Sequence, residues 1–372
     1  MKIGIDTFGC DHGRSGQGLY LLSLISNLPQ LDSVSYNLFG SNIDKYTYFS
    51  VADNLTYSEI SVPDSSFAEY MWHLTRVNSF TMKQKYDVVF YSAGGRFLPT
   101  KFNVPGVAAI NDVISMGEIK NKSLYKWYLK KGLNACTKII AASQFIKKDL
   151  ISLSINPEKI EVIHNGIDHS MFYPRKLLNS DFVDIKPFAI KRPYFLYASR
   201  IQGASKKHIE LIRAFNKFKE KTKLPHRLVL AGGTGVWSET VDREVAVSPF
   251  ASDIFQTGFF PHQSLPELYS YADACLFPSV TEGVGLPVLE AMACGVPVAC
   301  AKAGALPEIA GNNALFFNPD NIEEVAEILE KIIKDENLRK NLIDNGIEWA
   351  KRFSWEKTAQ KTLDVLSSVV KK

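Results

Sequence analysis

The sequence predicts an α/β chain built from two Rossmann-like domains, and three observations carry that expectation. Short apolar runs, among them Val88-Val89-Phe90-Tyr91, Gly106-Val107-Ala108-Ala109-Ile110, Tyr194-Phe195-Leu196-Tyr197-Ala198 and Ala274-Cys275-Leu276-Phe277, have the length and density of buried strands. Several of these runs end in a glycine-rich or polar turn that leads into helical periodicity. The length of 372 residues suits two domains of ordinary size.

Composition narrows the class. Hydrophobic residues make up 46% of the chain, enough for real cores and too many for a disordered chain. With 43 basic and 39 acidic residues the net charge is +4, too mild to imply nucleic-acid binding. The five cysteines, Cys10, Cys136, Cys275, Cys294 and Cys300, form no CxxC pair and lie mostly in apolar runs, as expected of a reduced, cytoplasmic protein. Met1 to Asp6 reads as a first strand and not as a signal peptide, because no apolar h-region follows. No apolar run is long enough to span a bilayer. Neither a DxD triplet nor an HxxxH or HExxH spacing occurs, so no metal site is expected.

Taken in order, Lys2 to Asp6 is a strand, Gly9 to Gly18 a glycine-rich loop, and about Gln17 to Leu28 a helix. As a dinucleotide fingerprint this opening fits poorly. Leu21 stands where the third glycine belongs, and Tyr36 to Gly40 does not end in an acidic residue. The loop around Gly16 and Gly18 is then either an ordinary tight turn or a ligand-facing loop. The run Gly106 to Ile110 ends at Asn111 and Asp112, at the carboxyl end where ligands of open α/β sheets bind. Ser123 to Ala135 is a helix with Lys122, Lys126 and Lys130 along one stripe and Leu124, Trp127 and Tyr128 on the opposite side. Lys131 falls near the apolar side. The helix is either a normal amphipathic surface element or a docking face for anionic lipid. A first domain over 1–168 is followed by a proline-containing linker over 169–193, a second domain over 194–352, and a last helix over 353–372.

The second domain carries the chemistry. Arg200 lies just past a strand, and Lys206, with Lys207 beside it, just before the helix His208 to Lys221. Gly232 and Gly233 end another strand. The most organised stretch is Ser279 to Gly295, SVTEGVGLPVLEAMACG. It reads as strand, glycine loop, helix, strand, with Pro287 in the first turn and Gly295 closing the helix. Glycines ahead of a helix N-terminus suit a phosphate. Glu282 and Glu290 bracket this turn, and carboxylates accept hydrogen bonds from sugar hydroxyls.

This segment resembles the Glu-x7-Glu motif of glycosyltransferase family four, the large retaining family with the GT-B fold. The resemblance implies that Glu282 and the amides of Gly283, Val284, Gly285 and Leu286 hold the donor sugar, and that Glu290 binds the ribose. Arg200 and Lys206 look like the family's diphosphate-binding pair, and Gly232 and Gly233 fall on the donor side. The loop Arg14 to Tyr20, with Gly16 and Gly18, resembles the family's N-terminal glycine loop facing the cleft. Asn111 and Asp112 match its acceptor side, where members often carry His-Asp; an Asn can hydrogen-bond a hydroxyl but cannot transfer protons near neutral pH. Asn165-Gly166-Ile167-Asp168 resembles the signature at the domain junction.

The fold so implied is GT-B: two Rossmann-like domains facing each other across a cleft, with the last helix crossing back to the first. The activity implied is metal-independent, retaining transfer of a hexose from a UDP- or GDP-sugar to a saccharide or glycolipid acceptor, in surface polysaccharide synthesis. No protein nucleophile is required, and Arg200, Lys206 and Glu282 would act by electrostatics and positioning. The enzyme would be cytoplasmic, or peripheral on the inner face of the membrane through Lys122, Lys126 and Lys130. The alternatives are a sugar-nucleotide epimerase, also built from two such domains, and an NAD-binding Rossmann protein, against which the missing third glycine speaks.

Overall fold

The computed structural model describes residues 1–48, 55–115, 123–176, 182–185 and 188–370. The chain divides into two compact units, one formed by Met1–Gly166 with Ser354–Lys372 and one by Ile167–Phe353.

The first unit is built on a parallel sheet whose strands are β1 (Lys2–Asp6), β2 (Ser35–Gly40), β3 (Leu55–Glu59), β4 (Val88–Tyr91), β5 (Gly106–Ile110), β6 (Lys138–Ala141) and β7 (Ile160–Val162). Their order is β3-β2-β1-β4-β5-β6-β7, so the winding reverses between β1 and β4. Ile3 pairs with Tyr36 on one side and Val88 on the other. The helices are α1 (Gly16–Ser26), α2 (Asn42–Tyr48), α3 (Ser66–Thr75), α4 (Val77–Lys83), α5 (Ser123–Ala135) and α6 (Gln144–Ser152). Strands this apolar fit a sheet covered on both faces, and Ile3, Leu38, Val88 and Val107 are completely buried. Each such residue contributes ~1.5–3 kcal/mol by leaving water.

Helix α1 starts at Gly16, because the Ser15 hydroxyl accepts from the Gly18 amide, and ends at Ser26, where Asn27 bonds back to Leu24 and Ile25. That is two residues short of the expected Leu28. A Cβ on Gly18 would sit 2.4 Å from the Cys10 carbonyl oxygen. Glycine is needed there so that the helix can lie against its own loop.

The second unit opens on a small antiparallel hairpin, β8 (Phe182–Ile185) and β9 (Phe188–Lys191), which occupies part of the stretch 169–193 expected to be a linker. The hairpin exists because it buries apolar surface: Val183, Ile185 and Ile190 are inside, and Phe188 stacks on Phe260. The parallel sheet follows, with β10 (Tyr194–Ala198), β11 (Arg227–Ala231), β12 (Ile254–Gly258), β13 (Ala274–Phe277), β14 (Val298–Ala301) and β15 (Leu315–Phe317) in the order β12-β11-β10-β13-β14-β15. Here the reversal falls between β10 and β13. Helices α7 (His208–Thr222), α8 (Ser238–Ala246), α9 (Leu265–Ser270), α10 (Leu286–Ala293), α11 (Leu306–Ala310), α12 (Ile322–Lys334) and α13 (Glu336–Ala350) complete the unit.

The last helix, α14 (Trp355–Ser368), belongs to the first unit. Trp355, Ala359, Leu363 and Leu366 are buried in the core that β1 and α1 share. Tyr20 and Trp355 meet edge-on at 5.8 Å, and the Thr358 hydroxyl donates to the His164 carbonyl at 2.8 Å.

Candidate active site

Ligands of doubly wound sheets bind at the carboxyl edge, where the strand order reverses. In the second unit that point lies between the ends of β10 and β13, and a cavity of ≈ 210 Å³ opens there. Arg200, Lys206, Ser279, Glu282 and Gly285 line it.

Lys206 is aimed by its own turn. The Tyr197 hydroxyl donates to the Lys206 carbonyl at 2.9 Å, and the Val280 amide donates to the Ser205 carbonyl at 2.9 Å. Burial holds the Tyr197 phenol protonated, so it remains a donor. Lys207 then takes a left-handed conformation, φ 57°, to start α7. Of the two adjacent lysines, Lys206 enters the cavity, whereas Lys207 pairs with Glu210 at 3.0 Å and Asp320 at 2.5 Å. Nearby, burial pushes the His208 imidazole down to about 4, so it is neutral near pH 7.

The Lys206 Nζ donates to Glu282 Oε2 at 2.8 Å, with both side chains about a quarter exposed. The Ala305 amide donates to the Glu282 carbonyl at 2.8 Å and fixes the backbone behind that carboxylate. Arg200 is exposed at the rim and makes no salt bridge among the described residues. The cavity is thus lined by one paired and one unpaired cation. Gly285, at φ 74°, precedes α10, whose N-terminal end adds positive potential. The Ser279 hydroxyl is buried and finds no hydrogen-bond partner among the described residues. A buried orphan hydroxyl is uncommon, and one that lines a cavity is available to a ligand.

Glu290 does not line this cavity. It lies further along α10, 7% exposed, and accepts from the Tyr269 hydroxyl at 3.2 Å. His262 Nε2 stands 3.6 Å from its other oxygen, and that carboxylate raises the His262 pKa above its ordinary value. Gly283, Val284 and Leu286 belong to the turn into α10, and Gly232 and Gly233 follow β11. A Cβ on Gly232 would lie 2.1 Å from the Ser199 carbonyl, so this glycine lets the ends of β10 and β11 approach. None of these five lines the cavity.

In the first unit, Asn111 is held from both sides at the end of β5. Its Nδ2 donates to Gln17 Oε1 at 3.2 Å, and its Oδ1 accepts from Asn165 Nδ2 at 3.1 Å. Asp112 and Gly16 are exposed, whereas Gly18 is buried against Cys10 and Gly13. Helix α5 departs from its expected faces. Tyr128, Leu129 and Leu133 are buried, but Trp127 is 60% exposed, with Lys131 over its ring at 4.9 Å. The buried arc runs through positions 128, 129, 132 and 133, and Trp127 falls just outside it. Lys126 is half-buried and Lys130 exposed; Lys122 lies outside the described residues.

Sequence reasoning missed Ser279, Tyr269 and His262 as site groups. A lone hydroxyl, phenol or imidazole carries no spacing signal, and only the packing of α9 against α10 brings the latter two to Glu290.

The two doubly wound sheets are the GT-B fold. Sucrose-phosphate synthase from Thermosynechococcus elongatus superposes with a TM-score of 0.76 at 18% identity, over 99% of each chain. HepE of Anabaena, solved with UDP and glucose, superposes with a TM-score of 0.74 at 20% identity, over 99% of this chain and 100% of that one. Residues 181–349 match the family Glycosyl transferases group 1, and residues 15–171 match Glycosyltransferase Family 4. The chain belongs to the group 1, family four glycosyltransferases. The O-antigen chain mannosyltransferase B of Escherichia coli is 29% identical over 63% of this chain and 62% of its own length. A D-inositol 3-phosphate glycosyltransferase of a Nocardioides strain is 26% identical over 70% of this chain and 62% of its own length. The chain therefore spans about three fifths of the length of these curated relatives.

Proposed function

We propose that this chain transfers a hexose from a UDP- or GDP-sugar to a saccharide or glycolipid acceptor, with retention of anomeric configuration and without a metal ion. The observation that carries the reading is the Lys206–Glu282 pair at 2.8 Å beside Arg200, at the strand-order reversal of the second unit. As the glycosidic bond breaks, the electron pair leaves with the diphosphate, whose charge rises. Lys206 and Arg200, together with the amides at the start of α10, favour that state over the ground state. A fixed donor aimed at developing charge is worth ~2.7–4 kcal/mol.

Glu282 accepts from hydroxyls of the transferred sugar, and its bond to Lys206 couples sugar and phosphate recognition. The acceptor oxygen attacks on the face the diphosphate is leaving, and its proton passes to a phosphate oxygen of the donor. No side chain is then needed as nucleophile, and Asn111, which cannot hold a proton, is compatible with this route. The first unit would take the acceptor around Asn111, Asp112 and Gly16. A relative named as an O-antigen mannosyltransferase supports a hexose donor and surface polysaccharide as the destination. The five free, buried cysteines favour a reducing, cytoplasmic setting. The exposed Trp127 beside Lys130 and Lys131 supports attachment to the anionic inner face of the membrane. No helix among the described residues is long and apolar enough to cross a membrane.

The test is release of free UDP or GDP from a panel of nucleotide sugars, with and without saccharide or glycolipid acceptors, in excess EDTA. Acceptor-dependent release that survives the chelator is expected. Conversion of the donor to its epimer without any acceptor would move the chain to the epimerase reading. Activity lost in EDTA and restored by Mg²⁺ or Mn²⁺ would refute the metal-free mechanism.

A further inference from the structure

Glu290 is a carboxylate almost out of water, and such a group is costly unless its oxygens are partnered. Two side chains from outside α10 reach it, one per oxygen. The Tyr269 hydroxyl, on α9, donates to Oε2 at 3.2 Å. His262 Nε2, on the turn His262–Ser264 that leads into α9, stands 3.6 Å from Oε1. Tyr269 is fully buried, whereas the His262 side chain is 40% exposed. The Phe172 ring packs edge-on against His262 at 5.6 Å and tilted against Tyr269 at 6.2 Å, so one aromatic side chain braces both. The titratable groups acting on His262 are Glu290 from α10 and Asp168 from the segment ahead of β8. Both carboxylates raise the His262 pKa, the Glu290 contact first, whereas burial lowers it.

We propose that His262 and Tyr269 form a two-sided clamp on Glu290, and that His262 is a positioning residue for nucleoside diphosphate binding. The inference rests on the reading that Glu290 receives the ribose. A carboxylate has about four lone-pair sites. Tyr269 takes a site on Oε2 and His262 stands against Oε1, which leaves each oxygen a site for one of the two vicinal hydroxyls of a ribose. Without the clamp the carboxylate can rotate about its side-chain torsions, and the two free sites no longer face the sugar together. The imidazolium form holds Oε1 by charge, so the clamp is firmest at low pH and relaxes as His262 loses its proton.

The experiment is calorimetric titration of UDP, with GDP in parallel, into wild-type protein, His262→Ala, His262→Gln and Tyr269→Phe, from about pH 5.5 to about pH 8.5. The diphosphate itself titrates in this range, so the quantity read is the affinity difference between proteins at each pH. His262→Ala should lose about tenfold in Kd near pH 6, ~1.4 kcal/mol. His262→Gln, which keeps an N–H donor, should recover most of it. The advantage of wild type over His262→Gln should shrink as pH rises through the His262 pKa. In turnover, His262→Ala should raise KM for the donor and leave kcat nearly intact. Tyr269→Phe keeps the ring and removes only the Oε2 bond, so it carries the test should His262→Ala fail to fold; it too should weaken UDP severalfold.

Wild-type protein that binds neither UDP nor GDP overturns the ribose reading and the clamp with it. Wild-type binding that His262→Ala matches or exceeds at every pH overturns the clamp alone, and so does a His262→Gln difference that does not vary with pH.

Discussion

Gly304 lies directly against the backbone of Glu282: a Cβ on it would come within 2.6 Å of the Glu282 carbonyl oxygen and 3.0 Å of its amide nitrogen. Gly304 also sits at φ 61°, where side chains are strained. The next residue, Ala305, donates its amide to that same carbonyl. The turn after β14 is therefore a seat for the residue proposed to hold the donor sugar.

Gly304→Ala should displace Glu282 while leaving the sheet in place. The strain is worth ~1–3 kcal/mol of stability. Transfer should suffer more than stability, with kcat/KM falling more than tenfold in protein that still melts cooperatively. A variant with wild-type kcat/KM would show that the position of Glu282 does not matter to turnover.

The two glutamates should separate by ligand. Glu290→Ala removes a carboxylate proposed to serve the ribose, which free diphosphate and donor share, and should cost ~1.5–3 kcal/mol for both. Glu282→Ala removes a partner of the sugar and leaves Lys206 free for phosphate. Binding of UDP or GDP should therefore hold or tighten while kcat/KM for transfer falls. Calorimetry on the two folded variants decides the matter, and equal loss of diphosphate affinity would defeat the division of roles.

Much of this was legible in the sequence. Parallel strands buried on both faces are written as short apolar runs, and the turn from Ser279 to Gly295 holds its glycines, proline and carboxylates in local spacing. Arg200 and Lys206 stand out in the sequence because strand ends and helix starts are also local signals, and both line the cavity. The hairpin at 182–191 does not stand out, since two four-residue strands in a proline-containing stretch show little period. Helical spacing groups Trp127 with Leu124 and Tyr128 opposite the lysines, but the arc that packs is set by what lies against α5, Tyr70 and the segment around Leu98. The His262 and Tyr269 contacts with Glu290 are tertiary and leave no pattern in the chain.

The exposed Trp127 beside Lys130 and Lys131 makes attachment to anionic lipid directly testable. Protein should co-sediment with phosphatidylglycerol vesicles at low salt and release at high salt. Lys130→Glu with Lys131→Glu should abolish the salt-sensitive part, whereas Trp127→Ala should weaken what remains at high salt. Equal recovery on neutral vesicles, or none on either, would leave α5 an ordinary surface helix.

His208 should shape acid stability. Its folded pKa, about 4, lies below the ordinary histidine value because burial disfavours the charged ring. At neutral pH both states carry a neutral ring and the shift contributes nothing. As pH falls below ~6.5 the unfolded chain takes up a proton that the folded one refuses, and stability drops until about pH 4, by ~3 kcal/mol in all. Melting temperature of wild type against His208→Leu across this window reads the difference. Parallel curves would mean that the imidazole takes up its proton without unfolding.

Helix α14 has a consequence for how the molecule is made. Trp355, Leu363 and Leu366 fill a core whose other walls, β1 and α1, precede the whole of Ile167–Phe353 in the chain. Folding on the ribosome usually proceeds from the amino-terminal domain onward. Here the core of the first unit is complete only once α14 has emerged, after the whole of Ile167–Phe353 has been synthesised.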